Sequence, residues 1–150
     1  MGERRMLIGP RHLSRAVVLL ALASAACSIN STKKHYVLGE KLWNDGKYAA
    51  AVAEFEKVTA QDPKGRLGLQ ALFRAAVTQS SFLYQYGDAV RKFRAYVDAR
   101  SDRTQPEYAE LVPAWEAQKQ IGEILYSKTE QYDQAIQQYT AMLKDRPTDP

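Results

Sequence analysis

The chain has 150 residues, of which 45% are hydrophobic and 25% charged, a composition typical of one folded domain and not of a disordered chain. Its single cysteine excludes an internal disulfide and a zinc site built on several cysteines. The formal net charge is +4, but residues 1–26 contain four arginines and one glutamate, so the remainder is nearly neutral. That distribution argues against nucleic-acid binding, which requires a basic patch on the folded domain.

The first predicted element is a targeting leader over residues 1–26. Its arginines precede a short apolar run at 16–23, and small residues follow at 24–26, which is the order typical of a secretory signal peptide. The run is far shorter than the ~20 residues that a membrane-spanning helix needs. The alternative is that the apolar run forms a buried helix of the fold.

The sequence ASAACS around Cys27 resembles a bacterial lipobox, in which the cysteine becomes the first mature residue and carries acyl chains. Ala25, Ala26 and Cys27 match, whereas Ser24 occupies a position where leucine is usual. The resemblance implies a lipid anchor at Cys27, and two or more acyl chains hold a protein stably on a membrane. Ser28, in place of a retention-signalling aspartate, favours the outer over the inner membrane. Ordinary cleavage that leaves a free thiol is the alternative.

A polar tether over residues 27–33 precedes a predicted helical domain at 34–150. Apolar residues recur there at helical spacing, and no alternating run of β-branched residues predicts a strand. Pro113 either kinks the fifth helix or begins it after a preliminary turn. The predicted helices span 34–44, 48–60, 66–83, 87–99, 106–128 and 132–144.

One pattern occurs three times along this domain. A tyrosine is followed three residues later by an alanine, and an aromatic residue comes four residues after that alanine. The alanine allows two antiparallel helices to approach closely, and the aromatic ring one turn later fills the space between them. The residues in this pattern are Tyr48, Ala51 and Phe55, then Tyr86, Ala89 and Phe93, and finally Tyr132, Ala135 and Tyr139.

The pattern resembles tetratricopeptide repeats, helix–turn–helix units of about 34 residues. The middle copy lacks the family's glycine and its closing proline, and the third has one extra residue before its tyrosine. The resemblance implies an all-α fold, an α-solenoid of about three antiparallel helix pairs. The first copy matches through Leu38, Gly39, Leu42, Gly46, Tyr48, Ala51, Phe55 and Pro63. The third matches through Ile121, Gly122, Leu125, Tyr132, Ala135, Tyr139 and Pro147.

The sequence contains no recognisable catalytic or cofactor-binding motif. It has no phosphate-binding glycine loop, no Gly-x-Ser-x-Gly elbow and no Cys–His pair. His35 has no histidine or cysteine neighbour at metal-ligand spacing and is interpreted as a surface residue. Carboxylate pairs such as Glu54 with Glu56, or Asp98 with Asp102, are interpreted as solvated helix faces. We therefore expect no enzyme activity, no metal and no cofactor.

In tetratricopeptide proteins the first helix of each pair lines a concave groove that binds a peptide or a partner helix. The corresponding positions here mix aromatic residues with charges of both signs, which suits such a partner. The alternative is that Trp43 and Phe82 only seal the junctions between repeats. The predicted groove residues are Lys33, Tyr36, Glu40, Trp43, Asn44, Arg74, Thr78, Ser81, Phe82, Glu116, Lys119, Glu123 and Tyr126.

Together, the lipobox and the repeats imply a lipid-anchored scaffold on the periplasmic side of the bacterial outer membrane. Its partners would be other envelope proteins, in outer-membrane assembly, secretion, pilus or gliding-motility machinery. One alternative is a cell-wall-acting enzyme or its accessory factor. Another is a structural repeat protein that self-associates through its last helix, and continuation of the array beyond residue 150 is also open.

Overall fold

The computed structural model describes residues 31–100 and 108–145, which form six helices and no strand. The predicted all-α fold is thus confirmed. The chain divides into two units, Met1–Ser31 and Thr32–Pro150, and the described helices lie in the second except for Ser31, the first described residue of α1. The leader, Cys27, Asp102 and Pro147 lie outside the described residues. The helices are α1 (31–44), α2 (Tyr48–Gln61), α3 (Arg66–Ser81), α4 (Tyr86–Arg100), α5 (Ala114–Ser127) and α6 (Tyr132–Asp145).

The predicted fifth helix, 106–128, begins too early. The helix α5 starts at Ala114, with Pro113 as its N-cap at φ −59° and ψ 146°. The ring of Pro113 cannot continue a hydrogen-bonded turn and disfavours helical backbone in the residue before it. Residues 108–112 instead form a short turn, in which the Leu111 N–H donates to the Tyr108 carbonyl at 3.1 Å. Pro113 therefore begins the helix after a preliminary turn.

The helices pack consecutively in two layers. α2 packs on α3, α3 on α4, α4 on α5 and α5 on α6. Between alternate helices, Arg74 of α3 donates to Glu40 of α1 at 2.6 Å, and Lys92 of α4 pairs with Glu56 of α2 at 2.8 Å. The odd-numbered helices thus form one layer and the even-numbered helices the other, as in a helical-repeat solenoid.

The alanine-and-aromatic seam recurs within the first and third helix pairs. Ala51 and Ala135 are 0% and 1% exposed. A Cβ at Gly39 would lie 2.7 Å from Cε1 of Phe55, and one at Gly122 would lie 2.6 Å from Cε1 of Tyr139. In both pairs, the ring therefore packs directly on the backbone of the preceding helix.

The middle pair follows the same plan with an alanine in place of the glycine. Ala76 occupies the equivalent position, thirteen residues before Ala89 as Gly122 is before Ala135. Ala76, Ala89 and Phe93 are each 0% exposed in one hydrophobic cluster. The missing glycine thus leaves the seam intact.

The turns inside the three pairs share one backbone feature. Gly46, Tyr84 and Glu130 have positive φ angles of 73°, 56° and 54°, and each lies two residues before the next helix. The second and third turns are one residue longer than the first and are closed by similar hydrogen bonds, Gln85 N–H to the Gln79 carbonyl at 2.9 Å and Gln131 N–H to the Leu125 carbonyl at 2.8 Å. The extra residue of the third copy therefore occurs in the second copy too.

Candidate partner-binding surface

Most of the predicted groove residues lie on the layer of odd-numbered helices, and we call the surface of α1, α3 and α5 the odd-helix face. Thr78 does not line it, because its side chain is 1% exposed and its hydroxyl donates to the Arg74 carbonyl at 2.7 Å. The exposed members of the predicted set are Lys33, Asn44, Ser81, Phe82, Lys119, Glu123 and Tyr126; the half-buried ones are Tyr36, Glu40, Trp43, Arg74 and Glu116.

Arg74 lies at the centre of the part of the odd-helix face that α1 and α3 form. Its Nη2 donates to Oε2 of Glu40 at 2.6 Å, and its guanidinium carbon lies 5.6 Å from the centroid of the Trp43 ring. A cation held over an aromatic face in this way gains about 0.5–2 kcal/mol, more as water is removed. The other carboxylate oxygen of Glu40, Oε1, is buried and has no hydrogen-bond partner in the described part of the chain.

Tyr36 lies beside this charge pair. Its ring packs on Phe55, with centroids 5.7 Å apart. Burial raises the pKa of Tyr36 and the Glu40 carboxylate raises it further, while Arg74 opposes both. Tyr36 therefore stays a neutral hydroxyl at physiological pH, able to donate or accept a hydrogen bond.

Three aromatic rings join α1, α2 and α3 at the end of this surface. Phe82 stacks on Tyr48 with centroids 4.2 Å apart, and Trp43 meets Phe82 edge-on at 5.7 Å. These contacts support the interpretation that Trp43 and Phe82 seal the junction between two helix pairs. Phe82 nevertheless remains 38% exposed.

The part of the odd-helix face formed by α5 is more polar. Nζ of Lys119 lies 4.0 Å from Glu116 Oε1 and 3.8 Å from Glu123 Oε1, and all three side chains are partly exposed. Pairs of this kind contribute little to stability. Tyr126 is 59% exposed and meets Tyr132 edge-on at 5.5 Å.

A polar cleft of about 290 Å³ lies between α3 and α5 and is lined mainly by hydroxyl, amide and charged side chains. Ser80 and Gln120 line it, and sequence reasoning missed both. Gln120 lies one helical turn after Glu116 and so could have been found by extending the same helix face.

A buried charge cluster between α1 and α2 corrects two sequence interpretations. Glu54 is only 9% exposed, so it is not on a solvated face, and the His35 side chain, predicted to lie on the surface, is only 29% exposed and contacts Glu54. Nδ1 of His35 lies 2.6 Å from Oε2 of Glu54, and Lys57 donates to Oε1 at 2.6 Å. The hydrogen bond from Lys57 lowers the pKa of Glu54 against the effect of burial, and His35 lowers it further. Both oxygens of the Glu54 carboxylate thus have a side-chain contact within the fold.

Groups of acidic, histidine or cysteine side chains that could hold a metal ion are not found within residues 31–100 and 108–145. Within the same ranges, no helix is both long and apolar enough to cross a bilayer. No protein-family model, curated protein or solved structure matches the chain.

Proposed function

We propose that this protein is a lipid-anchored scaffold of the tetratricopeptide type that binds other proteins of a bacterial envelope through its odd-helix face. The recurring seam of Gly39 on Phe55 and Gly122 on Tyr139 supports the repeat assignment. The lipobox-like sequence around Cys27 supports the anchor. Fold alone does not define a function, so the proposal rests on the chemistry of the surface.

The observation that carries the proposal is the unpaired Oε1 of Glu40 beside Arg74 and Trp43. A buried acceptor without a donor costs about 1–3 kcal/mol, which a bound group would recover. The Glu40 side chain is 30% exposed, so a small rotation would turn Oε1 toward solvent, where a peptide N–H, hydroxyl or ammonium group could donate to it while the rest of the peptide lies over Trp43. Arg74 already pairs with the other oxygen, so the site favours a polar donor over a second carboxylate.

Photocrosslinking tests this surface directly. A photoreactive phenylalanine replaces Ser81, a predicted groove residue that is exposed and lies two turns after Arg74 on α3. The matched control replaces Ala49, which is exposed on α2 in the other layer. In membranes of the producing cell, we expect a discrete protein adduct from position 81 that Arg74→Ala weakens. Equal adducts from both positions, or none from position 81, would contradict the proposal.

The anchor has a separate test. Mass spectrometry of the wild type isolated from membranes should show cleavage before Cys27 and the mass of acyl chains, and both should be lost in Cys27→Ser. An unmodified wild-type cysteine would rule out the anchor.

The enzyme alternative is tested by single carboxylate-to-amide substitutions. One substitution that abolishes function while preserving fold and crosslinking would favour it over the scaffold.

A further inference from the structure

The outer face of α6 exposes three large apolar side chains, one of which is buried at the equivalent positions of the other even-numbered helices. Ile136 is 63% exposed, whereas its equivalents Val52 of α2 and Val90 of α4 are 5% and 7% exposed. Tyr132 at the start of α6 is 51% exposed, and Leu143 near its end is 74% exposed. An aliphatic and aromatic stripe of this length is unusual on a soluble surface.

The first helix, α1, shows the same contrast at the other end of the array. Leu38 is 43% exposed, whereas its equivalents Ala75 of α3 and Ile121 of α5 are each 1% exposed. Val37 beside it is 58% exposed. Leu38 thus occupies a position that is buried wherever another helix pair precedes it.

The two inner junctions show what these positions contact. At the first junction, Val52 of α2 and Ala75 of α3 belong to one buried cluster. At the second, Val90 of α4 and Ile121 of α5 belong to another. Each junction therefore places the position of Ile136 and the position of Leu38 in the same buried cluster.

We propose that a second copy of this chain stacks on the first, head to tail, with α1 of one copy on α6 of the other and Leu38 beside Ile136. This contact would repeat the geometry of the inner junctions. There, the C-terminal end of the odd-numbered helix lies beside the N-terminal end of the even-numbered helix, as the stacking of Phe82 on Tyr48 shows. It buries the two exposed ends against each other and uses none of the predicted groove residues, so it is independent of the proposed partner binding.

The charges on the two end faces are complementary in this register. Lys41 follows Leu38 by three residues and is exposed on α1, and the start of α6 carries the exposed acids Glu130 and Asp133. The antiparallel arrangement places Lys41 near these acids. Lys34, one turn before Leu38, would lie along Leu143, and its aliphatic stem can cover an apolar side chain while its ammonium group stays in water.

A head-to-tail contact joins different surfaces on the two copies. Such a contact does not stop at a dimer unless the rotation between copies closes a ring. The proposal therefore predicts oligomers whose size grows with protein concentration.

Disulfide trapping tests the predicted contact. In the full chain with Cys27→Ser, the double variant Leu38→Cys and Ile136→Cys should form a ladder of dimers, trimers and longer species on mild oxidation with copper phenanthroline. The matched control combines Ile136→Cys with Ala49→Cys, which is exposed on α2, away from both ends. A ladder of equal strength in this control, or none in the test pair, would overturn the proposal.

Sedimentation equilibrium provides a second measurement that needs no cysteine. The Cys27→Ser chain should show a mass that rises with concentration, and the further change Ile136→Asp should hold it at the monomer mass with an unchanged helical circular dichroism spectrum. Gln137→Asp is the control, because the residues equivalent to Gln137 in α2 and α4, Ala53 and Arg91, stay exposed although those helices form the inner junctions. A Cys27→Ser chain that is a monomer at every concentration would overturn the stacking, whereas position-81 crosslinks could persist, which separates the two proposals.

Discussion

Gly39 lies against the edge of the Phe55 ring so closely that a Cβ would be 2.7 Å from Cε1 and 2.9 Å from Cδ1. Phe55 is itself 0% exposed, with Val58 and Ala51 packed in the same cluster. The ring therefore has little room to move away from α1. The same relationship holds between Gly122 and Tyr139.

The first prediction follows from this contact. Gly39→Ala should destabilise the protein by up to about 2 kcal/mol, because overpacking in a filled core, which costs about 1–3 kcal/mol, outweighs the gain of ~1 kcal/mol in helix propensity. Urea unfolding followed by circular dichroism measures the change. The control is Gly87→Ala, where a new Cβ meets no atom within 4 Å. A Gly39→Ala variant as stable as Gly87→Ala would contradict the seam.

The second prediction concerns the hydroxyl of Tyr96. It donates to the Val112 carbonyl at 2.5 Å, in a side chain that is 0% exposed. Tyr96→Phe removes the donor and should cost about 1–2 kcal/mol of unfolding free energy, since the carbonyl loses its partner in a buried place. Tyr126→Phe, at a 59% exposed position, is the control. Equal unfolding midpoints for the two variants would show that the hydrogen bond contributes nothing.

The third prediction is a dependence of stability on pH. Lys57 and His35 hold the pKa of Glu54 below its ordinary value of 4.5, so the folded state binds this proton more weakly than the unfolded state. The resulting stabilisation is present above the unfolded pKa and is lost as pH falls through the lower, folded pKa. Glu54→Gln should therefore flatten the loss of stability between about pH 5 and pH 3.

The control for that measurement is Glu56→Gln, which removes a half-exposed carboxylate from the same helix. Urea unfolding at several pH values compares the two variants with the wild type. If Glu54→Gln retained the full acid-induced loss, the assignment of this loss to the Glu54 cluster would be wrong.

The fourth prediction concerns the left-handed residue of the third turn. Glu130 is exposed and has a φ of 54°, a conformation that costs a residue with a Cβ roughly 1 kcal/mol. Glu130→Gly should therefore stabilise the fold by up to about 1 kcal/mol. Gly46→Ala is the reciprocal change, at a φ of 73°, and should destabilise it by a similar amount. Thermal unfolding of both variants checks the sign, and a shift in the same direction for both would refute the argument.

The helical periodicity and the repeated tyrosine–alanine–aromatic pattern were sufficient to predict most of the fold. Helix α6 begins at Tyr132 as predicted, and the Phe55 ring lies between α1 and α2, as predicted for the aromatic residue of the repeated pattern. Periodicity carries this information because side chains three and four residues apart share one helix face.

The segment before α5 could not be predicted in this way. Tyr108 is 7% exposed and its hydroxyl makes a long hydrogen bond of 3.5 Å to the Lys64 carbonyl, while Glu110 pairs with Arg66 at 3.0 Å. These contacts join residues 44 positions apart. They lie in irregular structure, where no regular spacing of apolar residues indicates which side chains are buried.

The burial of Glu54 was also missed, for a different reason. Helical spacing places Glu54 on α2. Whether its side chain is exposed to solvent depends on the packing of α1, which places His35 against the Glu54 carboxylate. A carboxylate can be buried where other side chains satisfy its oxygens, and that arrangement is a property of the packed pair of helices.

The turn at 108–112 also bears on how this array unfolds. In a solenoid held together only by neighbouring units, stability is shared between adjacent repeats and the ends fray first. Here Arg66 at the start of α3 is tied to Glu110, and Tyr96 of α4 is tied to Val112 just before α5. The second and third helix pairs are therefore expected to open as one cooperative block, with a single slow class of amide hydrogen exchange.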